Sequence, residues 1–408
     1  MKKALLLLLP ALMFGENLKS ILEYASQNNN LLEAKKLTKS AKESEVASKK
    51  SDYFPKIDIG TSYQNSTDTT SFQIQDVYTL YGKVGVDIYD GGAKAALLEK
   101  TKDELRAASY DVQETKESLL LEVVKNFYTI KMLEVRLKAL EDAKKSLFEQ
   151  KERVGQFYDA KLATKDDIQR LQASYDQNSY EIESLYFDIL RTKRSLQLQV
   201  GKEIEHFESS AFQDGTSFAY EPKSSLKSLE HKESALKNGA EALESVYYPN
   251  IKLEDRYTLY EYGDIALNHP AKIDKQNMLT LSLNMRIFDN ATAKEAKEAL
   301  LLDAKALDEE VKYHAKEQKM FYELSIARVA SLKAKIKSAK SALVAATSAF
   351  TTINEKYSAG IVDYVVYLDA LSAKTDAFSL YEGSLYDLQI AYATSCFYGG
   401  KKLQECVE

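Results

Sequence analysis

The residue types that most often carry chemistry are few in this sequence and are not grouped. Its four histidines stand at 206, 231, 269 and 314, without an HExxH pattern or the Cys/His spacing of a zinc site. The segment 90–94, DGGAK, lacks the GxxxxGK[ST] spacing of a phosphate-binding loop, and a helix cap explains it better. A soluble hydrolase therefore has no support, and we expect no enzyme activity, no cofactor and no resident metal.

Composition argues against one class of partner and favours long helices. The 408 residues carry a net charge of −6, which gives no reason to expect a nucleic-acid partner. Only 15 glycines and 5 prolines interrupt the chain. Scarce helix breakers, together with abundant Ala, Leu, Lys, Glu and Ser, predict long uninterrupted helices.

The first fifteen residues have the pattern of a secretory signal peptide. Lys2 and Lys3 precede a short apolar stretch, Ala4 to Phe14, that is too short to span a bilayer. We expect residues 1–15 to be removed on export; a buried N-terminal helix is the alternative. Export favours an oxidising compartment, where Cys396 and Cys406 either form a disulfide that closes the C-terminal tail or remain free thiols near a mobile end.

Two near-identical segments, YFPKI at 53–57 and YYPNI at 247–251, occur in the two halves of the chain. Pro55 follows a segment expected to form one helix, 16–50, and Pro249 follows another, 224–246; each proline precedes a stretch of alternating polar and apolar residues. A proline ends a helix and suits the first position of a strand, because it lacks an N–H and has a fixed φ. We therefore expect each proline to lie in a turn where the chain enters a membrane.

The patterns predict two copies of one arrangement, a pair of strands followed by a helix hairpin. Alternation predicts strands at about 56–64, 78–89, 251–262 and 278–288. Each pair of strands precedes a helix hairpin, at about 93–200 and 291–398, and about 60 residues of helix would be roughly 90 Å long. Ile88-Tyr89-Asp90 matches Ile287-Phe288-Asp289. We therefore expect two repeats, 16–200 and 223–398, an irregular connector at 201–222 and a tail at 399–408.

The strands favour a transmembrane β-barrel, which makes the fold class mostly α with a β-barrel contribution. Leu279, Leu281 and Leu283 alternate with polar residues, as in strands with one lipid-facing side. Four strands cannot close a barrel, and a bilayer excludes open edges. Three chains would supply a 12-stranded β-barrel and a 12-helix α-barrel. A soluble β-layer is the alternative for the strands, and a plain coiled-coil spacer is the alternative for the helices.

Together these features resemble the TolC family of outer membrane efflux proteins, over nearly the whole mature chain. The resemblance rests on the two proline segments, on the strand-to-helix junctions IYDGGAKAA and IFDNATAKEA, and on the tips YDAKLATKDDIQRLQA and YSAGIVDYVVYLDALSA. It implies a homotrimeric channel-tunnel in the bacterial outer membrane, with its helical barrel in the periplasm. It also implies a passive duct for drugs, bile salts or similar small molecules, or for proteins, with a periplasmic adaptor (membrane fusion) protein and an inner membrane pump as partners.

The resemblance assigns roles at the tips of the helix hairpins. The family pattern Tyr-x-x-Gly, followed nine residues later by Asp, corresponds to Tyr357, Gly360 and Asp369. Asp369 would ring the channel constriction, where three carboxylates near one axis would attract cations; a solvated surface Asp is the alternative. Asp167 matches an acidic latch residue that bonds to the tyrosine, but Val362 occupies the position of the family's latch arginine.

The tips also depart from the family pattern. Lys161 replaces the glycine of the first tip, and Val366 replaces a second acid near the constriction. We therefore expect a differently built latch and a single acidic ring. Candidate substitute latch partners are Lys161, Lys165, Asp166 and Asp363. The expected adaptor contacts are Lys161, Leu162, Gly360 and Ile361, and ordinary helix-hairpin turns are the alternative.

One further function stays open, which is a non-channel periplasmic coiled-coil structural or adaptor protein. The alternation through residues 279–287 and the internal repeat favour the channel. The sequence does not name the exported substrate or distinguish drug efflux from protein secretion.

Overall fold

The computed structural model of the chain describes residues 17–67, 74–204, 208, 210–214, 219–263 and 272–407. The expected signal peptide at 1–15 lies outside the described residues. The chain falls into two compact units. Unit 1 comprises the residues up to Lys35, Val112–Ser224 and those from Ala315 onward, and unit 2 comprises Lys36–Asp111 and Ser225–His314.

The described residues form long helices and one four-stranded sheet. The helices are α1 (Leu18–Asn28), α2 (Asn30–Ser51), α3 (Ala93–Asp159), α4 (Lys165–Val200), α5 (Ser224–Glu244), α6 (Thr292–Ser358) and α7 (Tyr364–Tyr398). The strands are β1 (Lys56–Asn65), β2 (Asp76–Asp90), β3 (Asn250–Tyr262) and β4 (Lys275–Asn284). Short 3-10 turns cover Ser245–Tyr247 and Leu403–Glu405.

Two boundaries differ from the sequence-based expectation. The N-terminal helix is broken at Asn29, whose Oδ1 accepts from the N–H of Leu31 at 2.9 Å and whose Nδ2 donates to the carbonyl of Gln199 at 2.8 Å. Strand β4 ends at Asn284 and does not continue to 288. Asn284 pairs with Asn250, the first residue of β3, and Pro249 before it has no N–H to extend the ladder.

Two aspartates, one at the end of β2 and one after β4, cap the two longest helices. Asp90 accepts the backbone N–H of Lys94 at 2.7 Å, and Asp289 accepts that of Ala293 at 3.0 Å. These carboxylates satisfy N–H groups that have no partner within the helix. The hydroxyl of Tyr247 donates to Asp289 at 2.7 Å and ties this cap to the turn before β3. Helices α3 and α6 that follow are each 67 residues long.

Unit 2 contains the sheet, in the order β1-β2-β3-β4, with every neighbouring pair antiparallel. A bulge between Asp87 and Tyr89 shifts the register of β2 against β3. The helical part of this unit is joined by Asp103 of α3, a buried carboxylate. It accepts from Ser234 at 2.7 Å, from Asn238 at 3.0 Å and from Arg106 at 2.7 Å, and it bonds to His231 at 3.1 Å. Burial alone would raise the pKa of Asp103, but these bonds hold it below its usual value.

Unit 1 contains the main apolar core. Leu18, Ile21 and Leu22 of α1 are fully buried there against Val123 and Phe127 of α3. Residues of α4, α6, α7 and the C-terminal tail complete the same cluster. Each buried leucine or phenylalanine side chain contributes about 2 kcal/mol to stability. The N-terminal helix is therefore held in place by packing against the long helices.

Candidate functional site

Two regions carry the features that bear on function: the sheet of unit 2 and the tips of the helix hairpins of unit 1. One face of the sheet is apolar and exposed. Residues directly opposite in the register share a face, so Ile57, Val84 and Leu279 lie in one row on this side. Ile59 is 81% exposed and Leu281 is 66% exposed. Other exposed large apolar residues of this face include Tyr63, Tyr78, Leu80, Tyr257, Leu259 and Leu283.

The opposite face is polar and forms ion pairs. Lys83 lies 3.3 Å from Asp58 and 3.9 Å from Glu254, and Lys252 lies 3.3 Å from Glu254. The guanidinium of Arg256 lies over the ring of Tyr81, 3.8 Å from its centroid. The sheet therefore separates apolar from charged side chains, as a barrel wall between lipid and water requires.

Three carboxylates lie on the apolar face: Asp76 and Glu261 toward one end of it, and Asp255 in its middle. Asp255 lies in the row of Ile57, Val84 and Leu279, and it is exposed. Its neighbours along β3 on the same face are Leu253 and Tyr257, because side chains alternate along a strand.

The outer strands β1 and β4 each have a neighbour on one side only. Each therefore presents an unpaired row of backbone groups along its other edge.

Pro55 and Pro249 lie where the sequence places them, directly before the first residues of β1 and β3. The chain before Pro55 turns through backbone bonds from Tyr53 to Lys50 and from Phe54 to Ser51. The chain before Pro249 turns through a bond from Tyr248 to Ser245. That these turns enter a membrane remains a prediction.

The two hairpin tips close in the same way. The N–H of Leu162 bonds to the carbonyl of Phe157, and that of Ile361 bonds to Lys356. Lys161 and Gly360 hold the left-handed backbone position of this helix end, with φ of 61° and 74°. The apolar residue that follows is exposed in both turns, with Leu162 78% and Ile361 71% exposed. The four residues expected to contact an adaptor therefore form two matching surface turns.

The expected latch pair, Asp167 and Tyr357, lines one cavity of about 510 Å³. Within the described residues, however, Asp167 bonds to Thr164: its carboxylate accepts the N–H and the hydroxyl of Thr164, both at 2.8 Å. This is a capping box that begins α4. The ring of Tyr357 stacks on Tyr367 with centroids 5.0 Å apart. The latch itself stays a prediction.

Arg153 of α3 forms a tip contact that the sequence analysis missed. Its guanidinium donates to the carbonyl of Ser358 at 2.8 Å and to the hydroxyl of Ser358 at 3.2 Å. Ser358 is the last residue of α6, where carbonyls lack helical partners and a cation is favoured. The guanidinium also lies 5.5 Å from the ring of Phe157. The i, i+4 spacing of Arg153 and Phe157, one turn before the tip, was the available signal.

The other candidate latch residues have local partners or lie at the surface. Asp166 accepts from Arg170 at 2.9 Å, one helical turn away. Asp363 caps α7 by accepting the N–H groups of Val365 and Val366 at 3.0 and 3.1 Å. Lys161 and Lys165 are exposed. None of these four residues joins the two hairpins in the described part of the chain.

Asp369 is an exposed residue of α7 without a hydrogen-bond or ion-pair partner among the described side chains. It lines a groove of about 770 Å³ together with Asp376 and Glu181. An exposed, unpaired carboxylate is compatible with the expected constriction. The constriction needs more than one chain, so it remains a prediction.

The two cysteines are joined. Cys396 of α7 and Cys406 of the tail form a disulfide and are both buried. The N–H of Gln213 donates to the carbonyl of Cys406 at 3.0 Å, and Phe212 forms an isolated β-bridge with Val407. The tail thereby holds part of the connector on the core of unit 1.

Other kinds of site find no support in the described residues. Their histidines, cysteines and carboxylates form no group of three suited to a metal ion. Among the described helices, none combines the length and the apolar character that crossing a membrane requires.

Comparison with known proteins shows which family part of the chain resembles. Residues 21–201 match the model of the family described as outer membrane efflux protein. The match covers less than half of the chain, and over those residues the chain is similar to this family. No curated protein matches it in sequence. The fold of the chain is that of several solved channels of low sequence identity.

Three solved structures illustrate the likeness. The Campylobacter jejuni CmeC outer membrane channel matches with a TM-score of 0.84 and 13% identity, covering 95% of this chain and 87% of that chain. The outer membrane protein VceC of Vibrio cholerae matches with a TM-score of 0.79 and 14% identity, covering 95% and 96%. The open state of the Neisseria gonorrhoeae MtrE outer membrane channel matches with a TM-score of 0.76 and 14% identity, covering 95% and 89%.

Proposed function

We propose that three copies of this chain form a passive channel-tunnel through the outer membrane. The observation that carries the proposal is the sheet, with an exposed apolar face, a charged opposite face and two open edges. A bilayer accepts the apolar face, but it does not accept unpaired edges. Pairing β4 of one copy with β1 of the next removes every edge and yields twelve strands. Channels of this family are trimers that work in tripartite efflux systems.

In this proposal the hairpin tips form the periplasmic end of the duct. The exposed Leu162 and Ile361 contact a periplasmic adaptor, which links the duct to an inner membrane pump. Asp369 of the three chains forms the constriction and favours cations. The cargo is small molecules such as drugs or bile salts, or proteins, and the energy for export comes from the pump.

The barrel is tested by placing the same charge on the two faces of one strand. Leu281→Lys puts an ammonium on the apolar face, which costs about 2–4 kcal/mol near the middle of a bilayer. The matched control, Ser282→Lys, puts it on the polar face of the same strand. We expect Leu281→Lys to abolish the heat-resistant trimer in the outer membrane fraction and Ser282→Lys to retain it.

The opposite results decide between the two functions. If wild-type protein fractionates as a soluble periplasmic species and both lysine variants behave alike, the channel proposal is refuted. The alternative, a periplasmic coiled-coil structural or adaptor protein, would then be favoured. The alternative draws its support from the exposed apolar residues along α4, such as Tyr180, Phe187 and Leu198, which a soluble helical partner could cover.

The constriction is tested in planar bilayers. We expect Asp369→Asn to lower the preference for cations, seen as a shift of the reversal potential in a salt gradient. Asp142→Asn is the matched control, because Asp142 is an exposed carboxylate of α3 that lies outside the groove. Equal reversal potentials for wild type and Asp369→Asn would refute the constriction.

Arg153 is tested in the same recordings. Its bonds to Ser358 hold the end of α6 against α3, so we expect Arg153→Gln to raise the fraction of time spent in open states. Arg191→Gln is the control, since the partner of Arg191 among the described residues is Asp188, three residues away on its own helix. An unchanged open fraction would show that Arg153 does not restrain the tip.

A further inference from the structure

A groove of unit 1 combines an apolar floor with walls of polar and charged residues. Its volume of about 770 Å³ falls within the range of small-molecule sites. Leu140, Ala143 and Leu147 of α3 supply buried apolar surface to it, and each is less than one-tenth exposed. Arg136 of α3 also lines it, and helices α4 and α7 supply the remaining residues. The groove can therefore cover an apolar body of drug size.

The charges in this groove do not balance. The ionisable residues that line it include the carboxylates of Glu181, Asp369 and Asp376 and the guanidiniums of Arg136 and Arg170. Arg170 is already bonded to Asp166, which does not line the groove, at 2.9 Å. Within the described part of the chain, three carboxylates thus face the one uncommitted guanidinium of Arg136. The groove carries an excess of two negative charges.

Asn178 adds an acceptor that the protein leaves unsatisfied. The residue lines the groove, is 8% exposed, and has no hydrogen-bond partner for its Oδ1 among the described residues. A buried amide oxygen without a donor destabilises the folded chain, because it has lost its hydrogen bonds to water. A ligand that supplies an N–H donor would recover this cost.

We propose that the groove binds amphipathic organic cations, meaning a protonated amine on an apolar body. The ammonium group donates to Asn178 and lies among the carboxylates of Glu181 and Asp376. The apolar body covers Leu140 and its neighbours on α3. An organic anion of the same shape is disfavoured, because it would face the excess negative charge. The role of the groove as a cargo subsite rests on the proposed duct, whereas binding itself does not.

The test uses two probes that share a fluorophore and differ in charge. Dansylcadaverine carries a primary ammonium and dansylglycine carries a carboxylate. Purified full-length protein in detergent is titrated with each, and dansyl emission is recorded. We expect saturable, blue-shifted emission with dansylcadaverine and an affinity for dansylglycine at least about tenfold lower. Equal affinities for the two probes would overturn the proposal.

Three variants locate the binding. We expect Asp376→Asn to weaken dansylcadaverine about three- to tenfold, in keeping with a partly exposed ion pair. Asn178→Leu should weaken it similarly without lowering the thermal midpoint, because it removes an unsatisfied acceptor. Asp142→Asn, outside the groove, should leave it unchanged. If Asp142→Asn weakens binding as much as Asp376→Asn does, the affinity of the probe depends on the net charge of the protein, and the groove is excluded as the binding site.

Binding and conduction separate the two proposals. If dansylcadaverine fails to bind but the protein still conducts in planar bilayers, the binding proposal is refuted and the channel proposal is supported. If dansylcadaverine binds with the expected variant effects but the protein does not conduct, the channel proposal is refuted and the binding proposal is supported. Should Asn178→Leu fail to fold, Asp376→Asn decides the outcome, with circular dichroism as the check on its fold.

Discussion

The C-terminal tail offers the sharpest quantitative prediction. Its disulfide joins residues ten apart in sequence, and Leu403 between them is fully buried. The N–H of Leu403 donates to a carboxylate oxygen of Glu117 at 3.1 Å, and the carbonyl of Cys406 accepts from Gln213 at 3.0 Å. Replacing both cysteines by serine removes the covalent closure and leaves these contacts in place. The double replacement also avoids a lone reactive thiol.

The size of the effect follows from the length of the closed loop. Loop-closure entropy for about ten residues corresponds to about 2.7 kcal/mol at 25 °C. That free energy is roughly a hundredfold change in the equilibrium constant for opening of the tail. We therefore expect local opening of residues 399–407 to become about a hundred times more frequent in the Cys396→Ser/Cys406→Ser variant.

Hydrogen exchange with mass-spectrometric readout measures this opening. The amides of Leu403, Cys406 and Gln213 should exchange roughly a hundredfold faster in the double variant, since exchange reports local opening free energy. Wild-type protein treated with a reductant should reproduce the change. Peptides around Leu140 and Leu147 of α3, which pack in clusters separate from that of the tail, serve as the internal control.

Two outcomes would refute the reasoning. Exchange rates of the tail within about threefold of wild type would mean that burial of Leu403 and the backbone bonds hold the tail without the disulfide. Equally accelerated exchange in the tail and in α3 would mean that the disulfide stabilises the whole of unit 1 and not the tail alone.

Further predictions concern single residues. Burial raises the pKa of Glu117 above its usual value. The stability that the protonated carboxyl provides is therefore present at low pH and is lost as pH rises through the raised pKa. In thermal midpoints measured from pH 4 to 7, Glu117→Gln should make this loss of stability smaller. Lys161→Gly should stabilise the chain by about 1 kcal/mol and Gly360→Lys should destabilise it similarly, because both positions are left-handed; the same sign for both in denaturant unfolding would contradict this. Asp255→Leu should raise the temperature at which the proposed trimer dissociates on gels, and Glu254→Leu, which loses ion pairs to Lys83 and Lys252, should lower it; a shift in the same direction would overturn the assignment of faces.

The strands and the long helices were predictable because their signals are local. Alternation of apolar and polar residues at 279–283 specifies a strand with two faces, and the structure contains β4 there. Helices α3 and α6 follow from long stretches without proline. The end of β4 was predicted wrongly, since alternation continues to Ile287. Pairing stops at Asn284 because the partner strand begins only after Pro249.

The contacts at the hairpin tips could not be predicted from local sequence patterns alone. Tyr357, Asp167 and Asp369 were chosen by spacing, and the structure places the first two around one cavity and the third in a neighbouring groove. Asp167 could equally cap its own helix, and within the described chain it does so. Arg153 was not chosen, because its partner Ser358 is 205 residues away.

By itself, the sequence determined the period of each element and its boundaries to within a few residues. Side-chain alternation, proline and cap residues act over a few positions, so they can be read from the chain directly. Only the tertiary structure decided which distant groups meet: Cys406 with Cys396, Arg153 with the end of α6, and Asn178 with the carboxylates of a groove. The physical reason is that such contacts depend on how three or more helices pack against one another, and no spacing along one helix encodes that packing.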